Sequence, residues 1–176
     1  MNAIIDWFLI WWLRGGRYSW SRFRRRLFER RYLSTALPAV SSPEEVEACL
    51  EQVTWTMDGP LHLFDCISYP QTTWAKKKDD CDGFASLAAA LITQYDPGSN
   101  PVLITVMVRP IRSSHTVCAF ITSEETLCFF NNDRLRCEHT REYEDLIALI
   151  SKKAKRLIAW DIRDPDTFEL VEFHRQ

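Results

Sequence analysis

Three residues of this sequence have the types and the order of a thiol-based catalytic site: Cys81, His115 and Asn131. The alanine-rich stretch after Cys81 carries apolar residues at three- and four-residue steps, which predicts a helix with one buried face. Asp79 or Asp80 is a typical N-cap for it, so Cys81 is expected in the first turn. The unpaired N–H groups of that turn favour a thiolate, and they can also receive the oxyanion of an attacked carbonyl.

A nucleophilic cysteine requires a base, and the base requires a group that orients it. His115 opens a β-rich run, residues 123–126 form a predicted turn, and residues 127–133 form the returning strand. In such a hairpin, the start of one strand faces the end of the other. The hairpin therefore brings His115 close to residues 131–133.

The residue that orients His115 has three candidates: Asn131, Asn132 and Asp133. A three-residue loop pairs Ala119 with Asn131 and places Asn131 on the same face as His115. A two-residue loop selects Asn132 instead, because a shift of one residue moves every side chain to the other face. Asn131 is the preferred candidate, followed by Asn132 and then by Asp133.

At these residues the chain resembles the transglutaminase-like cysteine proteases of the papain-like superfamily. The matching pieces are Asp-Cys-Asp-Gly-Phe-Ala at 80–85, His-Thr-Val at 115–117 and the Asn sixteen residues after the histidine. The resemblance covers roughly residues 43–163. It implies an α+β fold in which the cysteine-bearing helix packs on an antiparallel β-sheet, with the histidine and the Asp or Asn on adjacent strands. The Asn-Asn-Asp run at 131–133 differs from the single Asp of many relatives.

The function that this resemblance implies is a thiol-dependent amide hydrolase or acyltransferase acting on a protein or peptide. The alternative is a binding protein that keeps the same scaffold and docks through its N-terminal segment. The sequence has no glycine-rich phosphate loop, no dinucleotide fingerprint and no metal-ligand spacing. We therefore expect no cofactor and no metal.

The composition is that of a globular domain, with 46% apolar and 26% charged residues among 176. The six cysteines show no CxxC pair, and those at 118 and 128 lie on predicted strands as small buried side chains. A reducing compartment is therefore expected. We expect a cytoplasmic protein, peripheral at a membrane if its N-terminal segment binds one.

The N-terminal segment, residues 1–36, differs chemically from the rest of the chain. It holds eight arginines and two acidic residues, a net charge of +6, whereas the remainder carries −8, and the two sum to −2. Its apolar run at 3–13 is too short to span a bilayer, which needs about 20 residues. The glycines at 15 and 16 are predicted to break a helix there.

The aromatic residues of this segment alternate with arginines, which is typical of three settings: a membrane interface, a protein partner or a nucleic-acid backbone. The segment can also pack its aromatic side chains on the protein's own domain. Nucleic acid is the least favoured partner. We accordingly predict a basic aromatic arm at 1–36 and a catalytic domain at 43–176.

The remaining elements follow from periodicity and turn residues. Helices are predicted over 43–57 and 141–155, a central strand over 102–108, and further strands over 157–162 and 168–173. Residues 61–79 are expected to form an ordered loop before the cysteine.

Overall fold

The structure is a computed structural model and describes residues 2–57, 66–138 and 142–176, with the side chains of residues 2 and 3 left out. It confirms the α+β fold: helices pack on a six-stranded antiparallel sheet. The α-helices are α1 (Asn2–Trp11), α2 (Arg17–Arg24), α3 (Pro43–Leu50), α4 (Pro70–Lys76), α5 (Cys81–Tyr95) and α6 (Tyr143–Ser151). The strands are β1 (Thr54–Trp55), β2 (Lys78–Asp79), β3 (Val102–Arg109), β4 (His115–Ile121), β5 (Leu127–Asn131), β6 (Arg134–Glu138), β7 (Arg156–Arg163) and β8 (Leu170–Arg175).

The large sheet has the strand order β6-β5-β4-β3-β7-β8, and every neighbouring pair is antiparallel. β3 lies in the middle, and its six interior residues are buried on both faces. This agrees with its continuous run of β-branched and other apolar residues. The short strands β1 and β2 form a separate parallel pair.

Helices cover both faces of the sheet. On one face, α5 and α3 share a core cluster with alternate residues of the strands, including Leu103, Phe120 and Phe130. On the other face, α6 contributes Leu146 and Ile147 to a second cluster. The period of two along each strand sends successive side chains to these two layers.

Helix α5 begins as its sequence predicts. Asp80 is the N-cap, and its side chain accepts a hydrogen bond from the backbone N–H of Asp82 at 3.0 Å. Gly83 is required in the first turn, because a Cβ atom there would overlap the carboxyl group of Asp79. That carboxyl group accepts from the Thr73 hydroxyl at 2.5 Å, which ties β2, just before α5, to α4.

The N-terminal helix runs from residue 2 to residue 32 without a break. Two π-helical turns, Trp12–Gly16 and Arg25–Glu29, and a final 3-10 turn, Arg30–Tyr32, join α1 and α2 into one element. The predicted break at the two glycines is therefore wrong. Gly16 lies against aromatic rings, since a Cβ atom there would come within 3.0 Å of the Trp12 ring and 3.1 Å of the Trp11 ring.

One face of this N-terminal helix packs on the domain. Leu9 and Leu13 share a buried cluster with Met107 and Ile158 of the sheet. Tyr18 belongs to the α5 core cluster. Within the described residues, no helix is long and apolar enough to cross a membrane.

Cys128 and Cys137 form a disulfide between directly opposed residues of β5 and β6. The sequence did not predict it, because strand β6 was not expected and Cys128 was interpreted as a small buried thiol. Cys49, Cys66, Cys81 and Cys118 are in no disulfide and are buried. Because disulfides persist in oxidising compartments, this bond argues against the reducing environment that we expected.

Several element boundaries differ from the predictions. The predicted helix 43–57 ends at Leu50, because the chain then turns into β1, whose backbone pairs with β2. The predicted loop 61–79 contains α4 and β2, although residues 61–65 lie outside the described part. The helix predicted over 141–155 occupies Tyr143–Ser151, and residue 141 is also outside the described part.

Candidate active site

Cys81 is the first residue of α5, so it lies at the positive end of the helix dipole. The residue is buried, with 8% of its surface exposed. Its Sγ atom lies 3.8 Å from Oδ1 of Asp82. The setting combines a helix N-terminus, which favours a thiolate, with a neighbouring carboxylate, which opposes it.

The charge of Asp82 is offset by an arginine from the N-terminal helix. Arg17 forms an ion pair with Oδ2 of Asp82, and the two side chains are 4% and 0% exposed. Arg17 also donates to the hydroxyl of Thr105 at 3.4 Å, and that hydroxyl lies 3.1 Å from the hydroxyl of Thr116. A buried guanidinium therefore holds the carboxylate next to the thiol.

His115 and Asn131 are in direct contact. His115 is the first residue of β4, Asn131 is the last residue of β5, and Nε2 of the imidazole lies 2.7 Å from the Asn131 side-chain oxygen. Of the three candidates, Asn131 is the one bonded to His115. Asn132 has a φ of 54° in the following turn, and Asp133 lies 3.8 Å from the Arg134 guanidinium.

The hairpin register differs from both predicted registers. β4 pairs with β5 through Cys118–Phe130 and Ile121–Leu127, whereas the preferred prediction paired Ala119 with Asn131. The true register is shifted by two residues. A shift of two preserves the face of every side chain, so Asn131 still lies on the His115 side.

The hydrogen bond to Asn131 fixes the tautomer of His115. Because an amide oxygen can only accept, Nε2 carries the proton in this contact. Nδ1 of the neutral ring is then the basic nitrogen. Burial lowers the pKa of His115 below its usual value, and the hydrogen bond that its ring donates to Asn131 opposes this shift in part. Burial therefore favours the neutral imidazole, the form that can accept a proton.

Cys81 and His115 line one narrow cavity at the start of β4, with a volume of about 30 Å³. The N-terminal helix closes this cavity with Leu9, Trp12 and Arg17. Such a volume accommodates a water molecule but not a peptide. The N-terminal helix therefore covers Cys81 in this structure.

His115 also borders a second, larger cavity of about 340 Å³ on the α6 side of the sheet. Asn131 and two lysines, Lys152 and Lys153, line the same cavity. Strand alternation explains this position, because His115 shares its face with Val117, which belongs to the α6 cluster. His115 thus lines both the cavity that contains Cys81 and the cavity that contains Asn131.

A second buried ionic group supports the N-terminal helix beside the site. The Tyr18 hydroxyl donates to Asp161 at 2.8 Å, and Nε of Arg163 donates to the same carboxylate at 2.6 Å. Arg163 also donates to the backbone oxygen of Arg14 at 2.7 Å, within the first π-helical turn. Burial raises the pKa of the Asp161 carboxyl, while the charge of Arg163 opposes that shift.

The ligand atoms of Asp80, Cys81 and Asp82 lie within 4.8 Å of one another, the spacing that a metal ion requires. Both carboxylates already have roles within the protein, because Asp80 caps α5 and Asp82 pairs with Arg17. We therefore propose no metal site at these three residues.

The role of Arg17 was missed in the sequence. Four polar residues, Arg17, Ser21, Arg25 and Glu29, recur at four-residue steps in a helix that mixes aromatic residues with arginines, and all four are buried. That spacing marks one face of a helix. It was the available signal that this face, rather than the aromatic face, contacts the domain.

No protein-family model matches the chain, and no curated protein matches it. The functional interpretation consequently rests on the geometry of the site.

Proposed function

We propose that the protein is a thiol-dependent amide hydrolase or acyltransferase that acts on a protein or peptide. Cys81 is the nucleophile, His115 is the general base and acid, and Asn131 orients the imidazole. The observation that carries this proposal is that His115 lines one cavity with the helix-terminal Cys81 and is hydrogen-bonded to Asn131 at 2.7 Å. The resemblance to transglutaminase-like cysteine proteases, with the same residue order on helix, strand and strand, supports it.

In the proposed reaction, Nδ1 of His115 takes the thiol proton, directly or through one water molecule. The thiolate attacks the amide carbonyl, and the N–H groups at the start of α5 receive the oxyanion. The C–N bond then breaks, the amine leaves with the proton from His115, and the acyl group remains on sulfur as a thioester. Water attacks the thioester in hydrolysis, and an amine attacks it in acyl transfer.

Asn131 orients the ring but does not carry the negative charge that a carboxylate would place beside the imidazolium. The thiolate and the α5 dipole must therefore supply most of the stabilisation of the ion pair. Arg17 assists by neutralising Asp82, which otherwise places a like charge next to the thiolate.

Alkylation by iodoacetamide at neutral pH, mapped by peptide, tests the proposal. Cys49 is a matched control, because it is 9% exposed and Cys81 is 8% exposed, while burial raises the pKa of the Cys49 thiol. We expect Cys81 to react faster than Cys49. His115→Ala should slow the alkylation of Cys81 and leave the alkylation of Cys49 unchanged. Equal alkylation rates at the two cysteines of the wild type would contradict the catalytic role of Cys81.

Turnover of an amide substrate gives the second test. Cys81→Ser should lose nearly all activity, because a hydroxyl offers no comparable anion. Asn131→Asp should be tolerated better than Asn131→Leu, since an aspartate still accepts from Nε2. If Asn131→Leu has no effect and Asp133→Leu abolishes turnover, the assignment of the orienting residue is wrong.

A second candidate function is a binding protein that uses the same scaffold and docks through its N-terminal helix. The observation that favours it is the closed cavity of about 30 Å³ beneath Leu9 and Trp12. Failure to trap an acyl–thiol intermediate on Cys81, in a folded protein with a reactive thiol, would favour this second candidate.

The location of the protein is part of the proposal. We propose a peripheral position at a membrane surface, which the exposed face of the N-terminal helix supports. The cytoplasmic location that we expected from the cysteine pattern conflicts with the Cys128–Cys137 disulfide. A count of thiols in freshly extracted protein decides between a reducing compartment, where the bond is absent, and an oxidising one, where it persists.

A further inference from the structure

The second half of the N-terminal helix has its polar and apolar faces in the reverse of the usual arrangement. The stripe that faces the domain is mainly polar, since Arg17, Ser21, Arg25 and Glu29 are all buried and Tyr18 is the one buried aromatic residue beside them. The helices of globular proteins normally turn an apolar stripe inward and polar residues outward. A helix with the opposite arrangement leaves its apolar side chains outside the protein.

Specific polar contacts fix this orientation. Arg25 donates to the backbone oxygens of Ile67 at 2.9 Å and Ser68 at 2.5 Å. Glu29 accepts from the backbone N–H of Tyr69 at 2.9 Å. Rotating the helix to bury its aromatic face would move these charges into water and leave the buried Asp82 carboxylate and the backbone groups of residues 67–69 without their partners, at a cost of several kcal/mol. The outward direction of the aromatic side chains is therefore built into the fold.

The outer face is apolar along both halves of the helix, and its residues recur at three- and four-residue steps. The exposed members are Ile4, Trp7, Phe8 and Trp11 in α1, and Trp20, Phe23 and Leu27 along the second half. Of the sixteen large hydrophobic side chains that are exposed in the described part of the chain, ten lie between residues 4 and 33. So strong a concentration marks an interaction surface.

A groove joins the two halves of this face. Trp11 lines it from one side and Trp20 and Phe23 from the other, and the two glycines form its floor. The glycines bear no side chain that could fill the space between the rings. The aromatic face is therefore continuous across the first π-helical turn.

The charges exposed on this helix are all positive. Arg14, Arg22, Arg26, Arg30 and Arg31 are exposed, whereas Glu29 is buried and Asp6 is paired with Arg109 and Arg156. Two copies of such a surface would repel each other. The surface is complementary to a negatively charged one that also accepts apolar side chains.

We propose that the outer face of the N-terminal helix, residues 4–31, docks on the surface of an anionic lipid bilayer. Tryptophan and phenylalanine rings enter the boundary between headgroups and acyl chains, and the exposed arginines bind lipid phosphates. The helix lies in the plane of the interface and does not span it, in keeping with the lack of a spanning helix among the described residues. The inner face of the same helix covers Cys81, so the bilayer and the candidate active site lie on opposite sides of one helix.

Flotation with vesicles tests this proposal on the full chain. Vesicles of phosphatidylcholine with one-third phosphatidylglycerol are compared with vesicles of phosphatidylcholine alone, at low and at high salt. We expect binding to the anionic vesicles, much weaker binding to the neutral ones, and loss of binding as salt screens the arginines.

Two pairs of variants separate the apolar and the ionic contributions. Trp11→Ser with Phe23→Ser should weaken binding about ten-fold for each ring removed, whereas Trp55→Ser should not, although Trp55 at 47% is about as exposed as Trp11 at 51%. Arg26→Glu with Arg30→Glu should weaken binding at least about five-fold for each arginine. Arg175→Glu, an exposed arginine on β8, is the matched control.

Several results would overturn the proposal. They include no binding to anionic vesicles at low salt, or an equal loss of binding in Trp55→Ser. Light scattering that shows a dimer sensitive to Trp11→Ser, without vesicle binding, would identify a second copy as the occupant. Binding to single-stranded DNA that survives Trp11→Ser with Phe23→Ser, again without vesicle binding, would identify a nucleic acid.

Discussion

Replacing Arg17 by methionine tests whether the N-terminal helix is bound to the domain through its buried charge. Arg17→Met keeps the length of the side chain and removes the guanidinium. The Asp82 carboxylate, 0% exposed and next to Cys81, then loses its counter-ion. A buried charge without compensation is strongly destabilising, while two neutral side chains at the same place are tolerated.

The expected loss of stability follows from the burial of Arg17 and Asp82, whose side chains are 4% and 0% exposed. Breaking a buried pair of this kind by removing one partner costs about 3–5 kcal/mol. The contact with Thr105 is long, at 3.4 Å, and adds little. For a chain of this size, such a loss lowers the melting temperature by about 6–20 °C.

Urea unfolding measures the free energy of unfolding of each variant, with Arg26→Met as the control because Arg26 is an exposed arginine of the same helix. We expect the control to stay within about 0.5 kcal/mol of the wild type. Arg17→Met combined with Asp82→Asn should recover most of the loss, because no unpaired charge remains. If Arg17→Met costs no more than the control, or if the double variant is as unstable as the single one, the reasoning is refuted.

Three further predictions concern single sites. His115 should titrate by NMR below its usual pKa, because burial lowers that pKa. The folded state then binds fewer protons than the unfolded state, so the contribution of His115 to stability is lost as pH falls below about 6.5. A titration midpoint at the usual pKa would contradict the burial of this ring. Denatured, unreduced protein should show four thiols and reduced protein six, because Cys128 and Cys137 are bonded; six thiols before reduction would show that the bond is absent. Gly83→Ala should lower the free energy of unfolding in urea by about 1–3 kcal/mol, because the new Cβ atom overlaps the Asp79 carboxyl group. Gly15→Ala should not destabilise the protein, because nothing lies within 4 Å of its new atom. Equal effects of the two substitutions would show that the overlap at Gly83 is relieved.

The sequence determined the features that depend on neighbours along the chain. Asp80 caps α5 and places Cys81 in its first turn, because an N-cap acts over two or three residues. The hairpin brings His115 to Asn131, and the face of Asn131 was predicted although the register was not, since a strand alternates with a period of two. The α+β class was implied by the family resemblance that these residues carry.

Only the tertiary structure decided which face of the N-terminal helix is buried. Aromatic residues ordinarily occupy the inner face of a helix. In the second half of this helix the mainly polar stripe occupies it, because the partners of that stripe lie far away in sequence. They are Asp82 for Arg17 and the backbone of residues 67–69 for Arg25 and Glu29. The disulfide likewise depends on β6, a strand that pairs only because β5 supplies its edge. Local propensity and periodicity describe a helix or a strand by itself, whereas the burial of charge depends on partners that only the fold brings together.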